Sequence, residues 1–418
     1  MRKQIAVVFC TAVFQRVSIL LIMTFSVRIM GVTEFGKFSL AYYTAVNLIG
    51  FFGETLAVTA NKYINSTNFF NISATDLVKD LLSLTLKISS WILIVILSSS
   101  FFMLLLLKQV SFYIACLYIF SGLLMICQLH NIVLFAILNN LGSGFLASVF
   151  SCTGSFCSML IGFVFAYFWG ALGLLIGVLL GLLITTVSYY TYLLKTCYPG
   201  WNIFKWTDLS NIKKAGIIKK FIIPTLATMA LGGPVHWVCL IILSTSKSGI
   251  ENLAIFTAFF QWYSLLTFIP YALSNFTIPW LSRSKSLNDG LYIKNSIKIM
   301  GLITAIQLML LSFIYLFKNP ILSLYGHVLM AHSNTLLLLC LCGFLSSIVV
   351  TLNQILLADE KASYCLFANI FYSILYIIST IFLVRIVTLG SVGLSLSLLI
   401  SSLLQISIQL YFIFGKNE

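Results

Sequence analysis

Apolar runs long enough to cross a bilayer follow one another along almost the whole chain, and nothing else constrains its fold as strongly. A spanning helix needs ~20 predominantly apolar residues. Runs of that kind fall near residues 5–31, 38–64, 80–106, 110–137, 143–167, 171–194, 220–244, 252–281, 293–317, 333–357, 363–384 and 391–414. Backbone groups in hydrocarbon must be satisfied within their own segment, so these runs predict helices. Only 8% of the 418 residues are charged, against ~25% in a soluble domain. The expected class is an all-α integral membrane protein with twelve transmembrane helices.

The formal net charge of +14 does not point to nucleic acid, because the basic residues are scattered through short turns and build no basic domain. Their distribution sets the topology instead. With the N-terminus inside, the outer turns hold only Arg28, Lys37, Lys108, Lys247, Lys318 and Arg385. Arg16 and Lys87 lie within spans, and the other Lys and Arg fall on the inner side. This is the positive-inside bias, and it places both termini in the cytoplasm. The longest polar stretch, residues 196–219, then reads as a basic cytoplasmic linker between an N-terminal six-helix bundle, 1–195, and a C-terminal one, 220–418. The start has the basic head and apolar run of a signal peptide. The run continues through Arg16 to residue 31 without a small-residue cleavage signature, so it is read as a retained first helix.

The two halves read as repeats. Glu34-Phe-Gly-Lys-Phe in the first outer turn matches Glu251-Asn-Leu-Ala-Ile at an offset of 217, and Trp169 to Gly177 matches Leu389 to Ser397 at an offset of 220. With six spans each, both halves have one orientation, which predicts a pseudo-twofold axis along the membrane normal.

No catalytic site is expected. The four histidines are spread through the chain, and no nucleophile, P-loop or Rossmann motif is present. The cysteines show no metal-ligand spacing, so no metal site is expected either. The adjacent acids Asp359 and Glu360 read as a solvated cluster in an inner loop.

Polar groups at membrane depth carry the functional reading, since they tend to face a water-filled cavity or a partner. Arg16 lies near the middle of the first span. If the hairpin turns near Glu34, Arg16 lies eighteen residues before the turn and Glu54 twenty after it, so the two charges share one depth. A guanidinium grips phosphate in bidentate fashion, whereas the bland alternative is an Arg16–Glu54 ion pair holding two helices together. Arg28 near the outer face and Lys62 at the inner mouth are further anion-binding candidates, with snorkelling and topology bias as their plainer explanations. In span seven, Leu231 to Trp237 (LGGPVHW) combines Gly232, Gly233 and Pro234 and predicts a kink, with Pro224 earlier in the span. His236 beside the kink is either a protonatable cavity group or a satisfied interhelical histidine. Pro270 in span eight is another hinge candidate.

The first hairpin, R-I-M-G-V-T-E-F-G-K-F-S-L (Arg28 to Leu40) followed by G-E-T-L-A-V-T-A-N-K-Y-I (Gly53 to Ile64), resembles that of the Wzx O-antigen flippases. These form part of the polysaccharide-transport branch of the multidrug, oligosaccharidyl-lipid and polysaccharide exporter superfamily. The resemblance implies a V-shaped, MATE-like transporter of the bacterial inner membrane. It would move O-antigen or related repeat units, linked by pyrophosphate to undecaprenol, from the cytoplasmic to the periplasmic leaflet by alternating access. It implies no cofactor, leaves proton or sodium coupling open, and makes the lipid bilayer, the polysaccharide polymerase and the chain-length machinery the prospective partners. The alternatives are a multidrug cation extruder of the same superfamily, which should carry buried carboxylates in excess of arginines, and a membrane glycan polymerase or ligase, which needs a large outer loop.

Overall fold

In the computed structural model, residues 2–64, 74–106, 112–198, 212, 216–287, 289–359 and 361–414 are described, and every regular element among them is helical. Helix α1 is Arg2–Met30, α2 Val32–Tyr63, α3 Ala74–Leu106, α4 Phe112–Asn140 and α5 Gly144–Tyr192. Span seven consists of a π-helical turn, Ile218–Ile222, followed by α6, Ile223–Ala230, and α7, Gly233–Ser244. Then come α8, Gly249–Leu287, and α9, Asp289–Leu316, with the short α10, Lys318–Leu324, and α11, His327–Met330. The last three are α12, Ser333–Ala358, α13, Ala362–Thr380, and α14, Gly390–Phe414.

Among the described residues, ten helical stretches are long and apolar enough to cross a membrane. Two features reconcile that number with twelve crossings. The 49-residue α5 would be ~73 Å long if straight, more than twice the ~30 Å hydrocarbon core, but at Gly170 its backbone turns to φ 56°, ψ −134°. Only glycine enters that region without strain, so α5 is a hairpin of two spans. Its arms meet through glycines: a Cβ on Gly177 would overlap the backbone of Gly162, and Ser158 Oγ donates to Val178 O at 3.3 Å. The second feature is α2. Its 32 residues reach ~48 Å, long enough to cross, and carry Glu34, Lys37, Glu54 and Lys62 among apolar side chains.

The first hairpin turns at Gly31, with φ 79°, and not near Glu34. Glu34 already lies in the first turn of α2, where the helix dipole favours an anion. The internal repeat recurs in the backbone. Gly31 and Ser248 both have positive φ (79° and 51°), as do Gly170 and Gly390 (56° and 57°). The two pairs carry the same offsets, 217 and 220, as the sequence matches.

The chain forms two compact units, one of residues 1–22 and 37–237, the other of 23–36 and 238–418. These limits differ from bundles 1–195 and 220–418. The limits fall inside helices: α1 changes unit after Ile22 and span seven after Trp237. Of the linker 196–219, only 196–198, 212 and 216–219 lie within the described residues.

In the first unit, α4 packs between α3 and α5 around buried Leu77, Leu81, Leu129, Val133, Ile137 and Tyr189. Buried His130 ties all three helices, with Nε2 3.0 Å from Ser89 Oγ and Nδ1 2.7 Å from Tyr190 OH. Near the start of α3, Asp80 Oδ2 accepts the Ile212 N–H at 3.1 Å. In the second unit, α12 packs on α8, α9 and α14. Amide side chains join these helices: Gln307 Nε2 donates to Leu266 O at 2.8 Å, Gln354 Nε2 to Pro270 O at 2.8 Å, and Gln409 Nε2 to Asn353 Oδ1 at 2.9 Å. Such bonds contribute ~0.6 kcal/mol each in a membrane. The turn at Gly31 and the start of α2 belong to this unit, and a Cβ on Gly36 would overlap Ile250 in the matching turn of the second repeat.

Candidate functional site

Helix α2 is the element on which the sequence-predicted residues of the first unit converge. Arg16, on α1, is exposed although it lies within an apolar span. Its charge acts on Tyr42 and on Glu54, both on α2. With the turn at Gly31, Arg16 is fifteen residues before it and Glu54 twenty-three after, so for antiparallel helices the two groups differ by ~12 Å along the axes. They are not at the shared depth that a turn near Glu34 predicts. Tyr42 lies closer to the level of Arg16. Glu54 is likewise exposed, so a cation and an anion both open onto accessible space at membrane depth.

α1 leans on the first arm of α5, where Gln15 Nε2 donates to Ser151 Oγ at 2.5 Å. That contact lies one residue from Arg16.

At the C-terminal end of α2, Lys62 is exposed, with Nζ 4.0 Å from the ring centroid of Phe221 and 5.4 Å from that of Tyr63. The two rings meet edge-on at 5.4 Å. The ammonium therefore sits against a pair of aromatic rings, a cation–π arrangement that joins α2 to the start of span seven.

Span seven is interrupted at Leu231 and Gly232, whose N–H groups bond back three residues, to Thr228 O at 3.3 Å and Met229 O at 3.2 Å. The α7 helix restarts at Gly233 with Pro234 in its first turn, where a missing N–H costs no helix bond. The restart rests on α2: a Cβ on Gly233 would lie 2.7 Å from Asn47 O, and Trp237 Nε1 donates to Thr44 Oγ1 at 3.1 Å. Half-buried His236 is in the same turn. Pro224 is in the first turn of α6, and its carbonyl accepts from Thr228 Oγ1 at 3.0 Å.

The other two residues are elsewhere. Arg28, exposed in the last turn of α1, belongs to the second unit. Pro270 lies inside the unbroken α8, buried, with its carbonyl bonded to Gln354. The structure thus groups Arg16, Tyr42 and Glu54, and separately the span-seven break with Thr44 and Asn47. Sequence reasoning missed Tyr42, Thr44, Asn47 and Trp237. Thr44 and Asn47, polar and one helical turn apart inside an apolar run, were the available signal.

Asp359 also differs from expectation. It is not simply solvated: its side chain is 12% exposed, bonded to Lys285 and 2.6 Å from Lys361 Nζ. Partial burial pushes its carboxyl up, but the hydrogen bonds and charges of the two lysines outweigh that and hold it below the usual carboxylate range. Glu360 lies outside the described residues.

Helices of this length and order, with an interrupted seventh span, define a polytopic membrane protein with the fold of MATE-type transporters of the MOP superfamily. An inward-facing multidrug resistance MATE transporter of that superfamily aligns over 96% of this chain and 95% of its own, with TM-score 0.76 and 15% identity. The lipid II flippase MurJ in an inward closed conformation aligns over 97% of this chain and 87% of its own, with TM-score 0.73 and 17% identity. No family model matches the chain. In sequence it is similar to the EPS I polysaccharide export inner membrane protein EpsE of Ralstonia nicotianae, 39% identical over 72 residues, and to that of Ralstonia solanacearum, 44% identical over 64. These matches span 17% and 15% of this chain and 16% and 15% of the relatives.

Proposed function

We propose that the chain is a flippase of the bacterial inner membrane for polysaccharide repeat units linked through pyrophosphate to undecaprenol, O-antigen units or a close equivalent. The observation that carries this reading is Arg16: an exposed guanidinium at membrane depth, where an unused cation costs ~2.5–3.5 kcal/mol. Its planar fork suits the two phosphates of the carrier. The similarity to polysaccharide export proteins supports a glycan-bearing cargo, and the shared fold with a lipid II flippase supports movement of a lipid-linked one.

In this mechanism the pyrophosphate and sugars enter from the cytoplasm, past Lys62, and are held by Arg16 while the polyprenyl tail stays in lipid. The span-seven break at Leu231 and Gly232 gives the chain a place to flex during alternating access. Glu54, which feels the charge of Arg16, and His236 are the prospective sites of proton or sodium coupling. No step makes or breaks a covalent bond, so none of these groups acts as a catalyst. The polymerase and chain-length machinery would take the cargo on the far side.

The test is complementation of a strain lacking the protein. Arg16→Ala should abolish surface glycan with normal membrane levels of protein, and Arg16→Lys should retain part of it. Full export by Arg16→Ala removes the role given to that residue. Drug resistance conferred on a pump-deficient strain, without any effect on glycan, would favour a cation extruder.

A further inference from the structure

The mechanism above gives the sugars no binding surface, yet the second unit holds a group of tyrosines it leaves unused. Tyr263 is halfway along the membrane-crossing part of α8, and its ring stacks on Phe260 at 4.7 Å and 19°. Its hydroxyl donates to Ser346 Oγ on α12 at 3.0 Å. On α13, Tyr372 and Tyr376 lie ring to ring at 5.7 Å. The phenols of Tyr263, Tyr271 and Tyr372 lie near one another, and Tyr372 also lies near Cys239 of α7 and Cys342 of α12. Four helices of one unit therefore converge on one phenolic cluster.

The cluster is graded in exposure. Tyr376 is 1% exposed, Tyr263 and Tyr372 are half-buried, and Tyr271 is 62% exposed. From Tyr263 to Tyr271 the helix rises ~12 Å, longer than a single sugar ring. A phenol offers a flat apolar face and a hydroxyl that both donates and accepts. That pairing fits a pyranose, which has a C–H face and a rim of hydroxyls.

An aromatic cluster also suits organic cations, but such sites gain most from a nearby carboxylate. Among the described residues, the acids of this unit, Glu34, Glu251, Asp289 and Asp359, lie at the ends of helices or in the turns between them, and none is in the middle of a span. A neutral polyhydroxylated ligand is the better match. We propose that Tyr271, Tyr263 and Tyr372 form a stacking platform for the sugar rings of the cargo, separate from the Arg16 site that holds its pyrophosphate.

This inference rests on the flippase reading, and the experiment separates the two. The full-length protein is reconstituted in liposomes with two probes, a sugar-free polyprenyl pyrophosphate and a polyprenyl-pyrophosphate oligosaccharide. Wild type should move both. Tyr271→Ala should slow the oligosaccharide probe by roughly tenfold, the equivalent of one stacked ring, and leave the sugar-free probe unchanged. Tyr271→Trp should restore the rate. Tyr372→Ala should repeat the selective loss if Tyr271→Ala does not give monodisperse protein. Equal rates on both probes, or an equal loss on both, overturn the platform. A wild type that moves neither probe overturns the flippase reading before any variant is made. A tyrosine-dependent transport of tetraphenylphosphonium overturns the assignment to sugars.

Discussion

Replacing Gly177 by alanine should open the α5 hairpin, whereas the same change at Gly162, the residue it faces, should not. A Cβ on Gly177 would overlap the N and Cα of Gly162 and approach the Ile161 carbonyl carbon, all backbone atoms that cannot rotate away. A Cβ on Gly162 meets only a terminal methyl of Leu174, at 3.2 Å. Overpacking against a fixed neighbour costs about 1–3 kcal/mol. Alanine recovers about 0.8–1 kcal/mol of helix propensity at either position. The net expectation is a loss of up to about 2 kcal/mol for Gly177→Ala and neutrality or a small gain for Gly162→Ala. For a chain of this size that is on the order of 1–2 °C per kcal/mol. Thermal unfolding in detergent, followed by size-exclusion chromatography, reads both variants under one protocol. Because α1 leans on the first arm through Gln15 and Ser151, Gly177→Ala should also reduce transport. Equal melting of the two variants would refute the reasoning, since it would show that the arms separate as readily as a methyl group rotates.

The Asp359 tie gives a pH prediction. A depressed carboxyl contributes its stability in full above the unfolded value of ~3.9 and loses it as pH falls through the lower folded value. Stability should therefore not depend on this group between pH 7 and 5, and Asp359→Asn should reduce acid sensitivity below pH ~4. At neutral pH the variant should lose on the order of 1 kcal/mol, because both lysines are more than a third exposed and screened. Thr388 has φ 60°, a conformation that is an outlier for a β-branched residue. Thr388→Gly should raise the midpoint by the equivalent of about 1 kcal/mol, and a fall would show that the threonine side chain makes a compensating contact.

Most of the helical architecture could be read from residue order alone, because in hydrocarbon the length of an apolar run decides what it forms. The break at Gly232 was signalled for the same reason, by glycine and proline side by side. The exact turn of the first hairpin was not. Glu34 looks like a surface residue, but one glycine reverses the chain three residues earlier and lets the acid serve the next helix. That displacement moved Glu54 away from the level of Arg16. Lys62 shows a different limit. Its charge is visible in the sequence, but the Phe221 ring beneath it comes from a distant span, and no spacing rule links the two. Pro270 shows the same limit: it lies within α8, and its carbonyl accepts from Gln354, more than eighty residues away.

The tip of α5 also bears on how the chain is made. The insertion machinery meets 54 nearly uninterrupted apolar residues, Gly144–Cys197, with no loop to mark where one crossing ends. The two arms must enter as a paired hairpin, with the reversal imposed by Gly170. If a ribosome-bound chain ran through that point as a single rod, every later segment would be threaded in the opposite sense. The heading of the entire second repeat during biogenesis is thus inherited from one residue without a side chain.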